Sequence, residues 1–103
     1  MLQAPMSFRV LVDDNYHYQD ESERYVAGDF ETLEVAVAAC KKIVDDSLLH
    51  ELKQYPDLNA EELYERYVSF GDDPFIVAPG LEKAVFSAWD YAQERSKVLA
   101  RMA

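Results

Sequence analysis

The chain has 103 residues, half of them apolar, which is enough for one compact core and too short for two ordinary domains. Twenty acidic residues against ten basic ones give a net charge of −10, so the chain repels phosphate backbones and anionic lipid headgroups, and neither nucleic acid nor a membrane surface is an expected partner. No apolar run approaches the roughly 20 residues that span a bilayer.

The one cysteine, Cys40, has no mate for an internal disulfide, which points to a reducing, cytoplasmic setting. Residues 1–6 precede the patterned sequence and read as a disordered N-terminal extension. Residues 7–103 read as a single domain.

Phe8 to Val12 alternates large apolar residues at 8, 10 and 12, the period of a strand with one buried face. Leu11 on the other face suits a central position. The polar stretch Asp13 to Ser22 is expected to end this strand and to connect it, as a long acidic hairpin, to a second strand over Glu23–Phe30. Gly28 marks a bulge or a close approach there.

Thr32 is a good cap for the first helix, with Glu34 in the opening turn where the dipole favours negative charge. Leu33, Ala36, Val37, Cys40, Ile43, Val44, Ser47 and Leu48 fall on one helical stripe, and Lys41, Lys42, Asp45 and Asp46 mark the wet side. The helix is expected to run on through Leu52 and to stop before Pro56.

Asn59-Ala60-Glu61-Glu62 has the form of a capping box, with Leu58 and Leu63 placed as its hydrophobic staple. Gly71 is expected to close that second helix in the left-handed conformation, and Asp72-Asp73-Pro74 forbids continuation. Phe75–Val77 reads as a short buried strand, with Ala84–Phe86 as a candidate fourth. Ser87 caps the last helix, with Phe86 opposite Tyr91. The order is β-β-α-α-β-α, an α+β fold of two layers: a small, mainly antiparallel sheet, built of the hairpin plus one or two short strands, packed against three helices.

Residues 13–34 hold eight acids against Arg24 alone, so a charged partner, if there is one, is basic. Solubility alone also accounts for a net negative charge. Within the acidic run, Asp14, Tyr16, Tyr18, Asp20 and Glu21 are candidate partner-binding residues. Trp89 joins them, because a tryptophan in a first helical turn either seals a core edge or anchors a partner. A calcium loop over Asp13, Asn15 and His17 fails: Tyr18 stands where glycine is required and Arg24 where a bidentate glutamate is required. A looser divalent-metal site from Asp13, Asp14, His17, Asp72 and Asp73, in a metal-binding protein or a metal-dependent enzyme, stays open as the alternative, set against solvated loop tips.

No cofactor is expected. The chain has only three glycines and lacks a phosphate-cradling loop, a paired-cysteine framework and a nucleophile elbow.

The stretches from Val12 to Tyr18, from Ser69 to Phe75 and from Phe86 to Ala92 resemble a family of small uncharacterised bacterial proteins with no assigned activity. That resemblance implies a bacterial source and a free-standing protein, and supplies no catalytic residue. The expectation from sequence is therefore a non-enzymatic interaction module that binds itself or a basic protein through its acidic, tyrosine-rich hairpin.

Overall fold

The computed structural model of the chain describes residues 7–17, 24–81 and 86–102, with backbone alone at His17 and Met102. Its elements are β1 (Phe8–Asp14), a 3-10 turn (Asn15–His17), β2 (Tyr25–Phe30), α1 (Leu33–Gln54), α2 (Ala60–Phe70), β3 (Asp72–Val77) and α3 (Ala88–Met102). The expected order and class hold. β1 is central in a three-stranded sheet ordered β2-β1-β3, and both pairings are antiparallel.

Alternation along β1 sends Val10 and Val12, both fully buried, against Ala36 and Cys40 of α1. The register slips between Val10 and Leu11, so that β2 carries one extra residue, Ala27, beside Gly28. A Cβ on Gly28 would stand 3.1 Å from the Phe30 ring, a close approach as anticipated.

α1 has 22 residues and is therefore about 33 Å long, whereas the strands of six or seven residues reach only about 20 Å. The helix overhangs the sheet, and this divides the core. Its first half packs on the strands. Its second half, through Val44, Leu48 and Leu52, packs on Leu63 and Tyr67 of α2 and on Ala88, Ala92 and Leu99 of α3. Phe86 touches both halves and joins them.

The caps form as read. Thr32 accepts from the Val35 amide at 3.1 Å, and Asn59 and Glu62 make a reciprocal box at 2.9 and 3.0 Å. Ser87 Oγ accepts from the Asp90 amide at 3.3 Å. The Phe86 and Tyr91 rings meet with centroids 5.8 Å apart.

Four expectations are corrected. β1 continues through Asp13 and Asp14 instead of ending at Val12, and β3 starts at Asp72 instead of Phe75, because these two acidic ends pair with each other. Gly71 is extended, with φ −80° and ψ 173°, and not left-handed. Glycine is needed there for space: a Cβ would lie 2.4 Å from Cδ1 of Tyr67. Asp45 is not on the wet side; it accepts from the Tyr91 hydroxyl at 2.9 Å and from Arg95 Nε at 3.1 Å, tying α1 to α3.

Pro74 inside β3 is tolerated because β3 is an edge strand among the described residues, where none of them needs its missing N–H. The proposed strand Ala84–Phe86 and the extension 1–6 fall outside the described residues, except Phe86, which is irregular. Among the described residues no helix is long and apolar enough to cross a membrane.

Candidate functional site

The β1–β3 register sets Asp13 opposite Asp73 and Asp14 opposite Asp72. Two acidic dipeptides nearly 60 residues apart in sequence thus become cross-strand partners at one end of the sheet. Directly opposed like charges destabilise a strand pair. Because side chains alternate across the sheet, Asp14 and Asp72 project on the α1 side, and Asp13 and Asp73 on the other.

Buried Asn15 fixes this end of the molecule. Its amide donates to the Gly71 carbonyl at 3.0 Å, and its Nδ2 donates to the Tyr67 carbonyl at 3.0 Å. Its Oδ1 accepts from Trp89 Nε1 at 3.3 Å. The Tyr67 hydroxyl in turn donates to the Asp72 carbonyl at 2.6 Å, and the Asp72 amide donates to Ser47 Oγ at 3.2 Å. The Asn15 side chain therefore ties the end of β1 to α2 and α3, while its backbone amide holds Gly71, just before β3. Nothing in the local sequence around Asn15 signals that role.

The four carboxylates differ in their surroundings. Asp13 receives Arg24 in a two-point contact, Nε at 2.6 Å and Nη2 at 3.1 Å, and that guanidinium lies over the Phe75 ring at 5.1 Å. Asp14 Oδ1 accepts from the Tyr16 amide at 2.9 Å. Asp72 and Asp73 are half-buried, and among the described residues no lysine or arginine pairs with either. Burial, then the charge of Asp13, pushes the Asp73 carboxyl up to about 6. Burial, then Asp14, raises Asp72 as well. The Tyr67 phenol is pushed far up by burial and by both aspartates, so it stays a donor.

Two clefts flank this acidic strand start. One, of about 230 Å³, lies on the α1 side between Asp46, Ser47, His50, Phe70 and Asp72. Phe70, which lines it, stacks on Tyr16 with ring centroids 5.7 Å apart, and both rings are exposed. The other, of about 440 Å³, runs along the edge of β3 that no described strand covers to the start of α3, between Asp73, Pro74, Phe75, Phe86, Trp89 and Asp90.

Of the sequence-expected partner-binding residues, Asp14, Tyr16 and Trp89 come to this end. Tyr18, Asp20 and Glu21 lie outside the described residues. Trp89 packs on the core, the first of its two anticipated roles, and it also lines the larger cleft. The aspartates of the metal alternative do meet, but as pairs on opposite faces, and the His17 side chain is outside the described residues. Among the described residues no group of three or more imidazole, thiol or carboxylate ligands converges. Cys40 is buried, and burial, with a smaller effect from Asp73, pushes its thiol up to about 11, which suits a core residue and not a nucleophile. Phe70, together with Asp46 and Ser47, read from sequence as wet-side and stripe residues of the first helix, are the parts of the site that sequence alone did not mark.

Fold and site together define a two-layer α+β domain with an acidic, aromatic end flanked by two clefts. No family model, curated protein or solved structure matches this chain.

Proposed function

We propose that this protein is a non-enzymatic interaction module that binds a basic segment of another protein through its acidic end. Asp14, Tyr16, Phe70 and Asp72 form the surface; the other candidate partner residues, Tyr18, Asp20 and Glu21, lie outside the described residues. The observation that carries this proposal is the pair Asp72 and Asp73: half-buried carboxylates facing Asp14 and Asp13, with no described cation against them. Opposed acids cost the fold stability, and a cation from outside turns that repulsion into attraction. The stacked Tyr16 and Phe70 rings add apolar area with a polar rim, the usual make-up of a contact surface.

A second copy of the chain is the weaker occupant. Each copy carries −10, and four of its described arginines are committed internally, in Arg9–Asp29, Arg24–Asp13, Arg66–Glu51 and Arg95–Asp45. A buried, unpaired thiol fits the reducing cytoplasm proposed as its location.

Titration calorimetry with a synthetic oligolysine–arginine peptide tests this. Binding is expected at low salt and is lost at about 0.5 M salt, where charges are screened within a few ångströms. The double variant Asp14→Asn/Asp72→Asn should lose at least tenfold in affinity, whereas exposed Asp57→Asn stays within twofold. Equal losses from both variants would mean that net charge, not this surface, attracts the peptide. A divalent ion is the competing occupant: a thermal midpoint that rises by several degrees in millimolar Mg²⁺, Ca²⁺, Mn²⁺ or Zn²⁺ would move the assignment to a metal protein.

A further inference from the structure

We infer that the cleft between the edge of β3 and the start of α3 seats an arginine side chain of the basic partner, with its guanidinium on the Asp73 carboxylate and its stem against Phe86 and Trp89. This rests on the acidic-end function proposed above and gives it a specific contact.

The shape of the edge decides how a partner enters. A free strand edge ordinarily invites another strand through its outward N–H and C=O groups. Here Pro74 has no N–H to offer, and the Asp72 amide is already held by Ser47 Oγ at 3.2 Å. With two successive outward positions blocked, strand addition over the acidic half of β3 is unfavourable. The cleft beside it, about 440 Å³ and walled by Pro74, Phe75, Phe86 and Trp89, is left to a side chain.

Its chemistry selects a cation with an apolar body. Asp73 stands at this aromatic wall without a described cation, and Asp90 adds a second carboxylate to the lining. The chain already shows how such a combination is satisfied. Arg24 grips Asp13, the cross-strand partner of Asp73, while lying over Phe75 at 5.1 Å. Arg66 holds Glu51 at 2.7 Å while lying over Tyr55 at 4.6 Å and Phe70 at 4.9 Å. An arginine from outside would repeat this arrangement on Asp73. Arginine suits it better than lysine because the planar guanidinium stacks on rings, gives up its hydration more easily and offers two parallel donors to one carboxylate.

Trp89 is the one tryptophan in the chain and lines the cleft, so its fluorescence reports occupancy directly. The probes are three blocked tripeptides, alanine on either side of arginine, of lysine or of citrulline, the neutral isostere of arginine. The arginine peptide should shift Trp89 emission saturably, lysine should bind at least fivefold more weakly, and citrulline should give no saturable shift. Asp73→Asn should weaken the arginine response at least tenfold. The same variant should raise the thermal midpoint at neutral pH, since it removes a charge facing Asp13; a variant that merely damaged the fold would lower it. Asp73→Glu, which keeps the charge, should restore part of the response.

Equal responses to arginine and citrulline, or an Asp73→Asn variant that binds as well as the parent, would overturn the assignment. If the basic peptide of the preceding experiment binds while Trp89 does not respond to the arginine tripeptide, the arginine seat fails and the acidic-end function stands. If neither binds, both fail.

Discussion

Gly71 shows how tightly the acidic end is built. Its backbone is extended, a conformation any residue adopts, so conformational freedom is not why glycine stands there. The reason is Tyr67, whose ring would meet a new Cβ at 2.4 Å and whose carbonyl would meet it at 2.8 Å. Neither can give way. The ring is fully buried and its hydroxyl is held by the Asp72 carbonyl, while the Tyr67 carbonyl accepts from both Gly71 and Asn15. Gly71→Ala should therefore cost about 2 kcal/mol in urea denaturation, the range for overpacking a site that cannot relax. A loss below about 0.5 kcal/mol, the level of ordinary surface substitutions, would show that the Tyr67 ring moves freely.

At the scale of elements, α1 and α2 are joined by a charged contact set into an apolar surround. Glu51 is only 7% exposed, yet it ends in a 2.7 Å contact with Arg66 Nε, and that guanidinium lies over the rings of both Tyr55 and Phe70. Removing one member strands the other. Arg66→Ala should destabilise by about 3 kcal/mol, because it leaves a buried carboxylate unpaired and uncovers two rings. The double change Glu51→Leu/Arg66→Leu should recover most of that, since buried ion pairs are often replaceable by apolar residues of similar size. A double variant as unstable as the single one would mean that the ring stacking, not the stranded charge, supplies the energy.

The helices were legible in sequence because their signals are local. Thr32, Asn59 and Ser87 each act within one turn, and the stripe from Ala36 to Leu48 follows one period. The strand ends were not. Asp is a poor strand former, so Asp13–Asp14 and Asp72–Asp73 each read as loop. Only their mutual pairing makes them sheet, and pairing across 58 to 60 positions leaves no local trace. Asn15 and Asp45 escaped notice for the same reason: their partners, Tyr67 and Trp89 in one case and Tyr91 and Arg95 in the other, come from distant elements.

For the molecule as a whole, the acidic end inverts the usual response to acid. A carboxylate held by a cation loses its contribution as pH falls, and Asp29, lowered by Arg9, is of that kind, although both groups lie in open solvent where screening leaves little effect. Asp73 is the opposite case. Its folded value is raised from the ordinary 3.8 to about 6 by burial and by Asp13, so the folded chain keeps a proton that the unfolded chain has already released. The stability gained from that proton is complete below about pH 4 and is lost as pH rises through about 6. Asp72, raised by burial and by Asp14, contributes in the same direction, and protonation also relieves the mutual repulsion within a chain of net charge −10. Arg24 on Asp13 offsets only part of this, and Asp90 faces the same cleft with a further negative charge. The thermal midpoint should accordingly rise between pH 7.5 and pH 5.5, the interval containing the Asp73 value of about 6. Asp73→Asn should flatten that rise by lifting the midpoint at the upper pH, whereas Asp29→Asn should leave the slope as it is. A parent protein whose midpoint falls steadily over the same interval would mean that Asp73 is already satisfied in the folded chain, and the acidic end would then have no unmet charge to offer a partner.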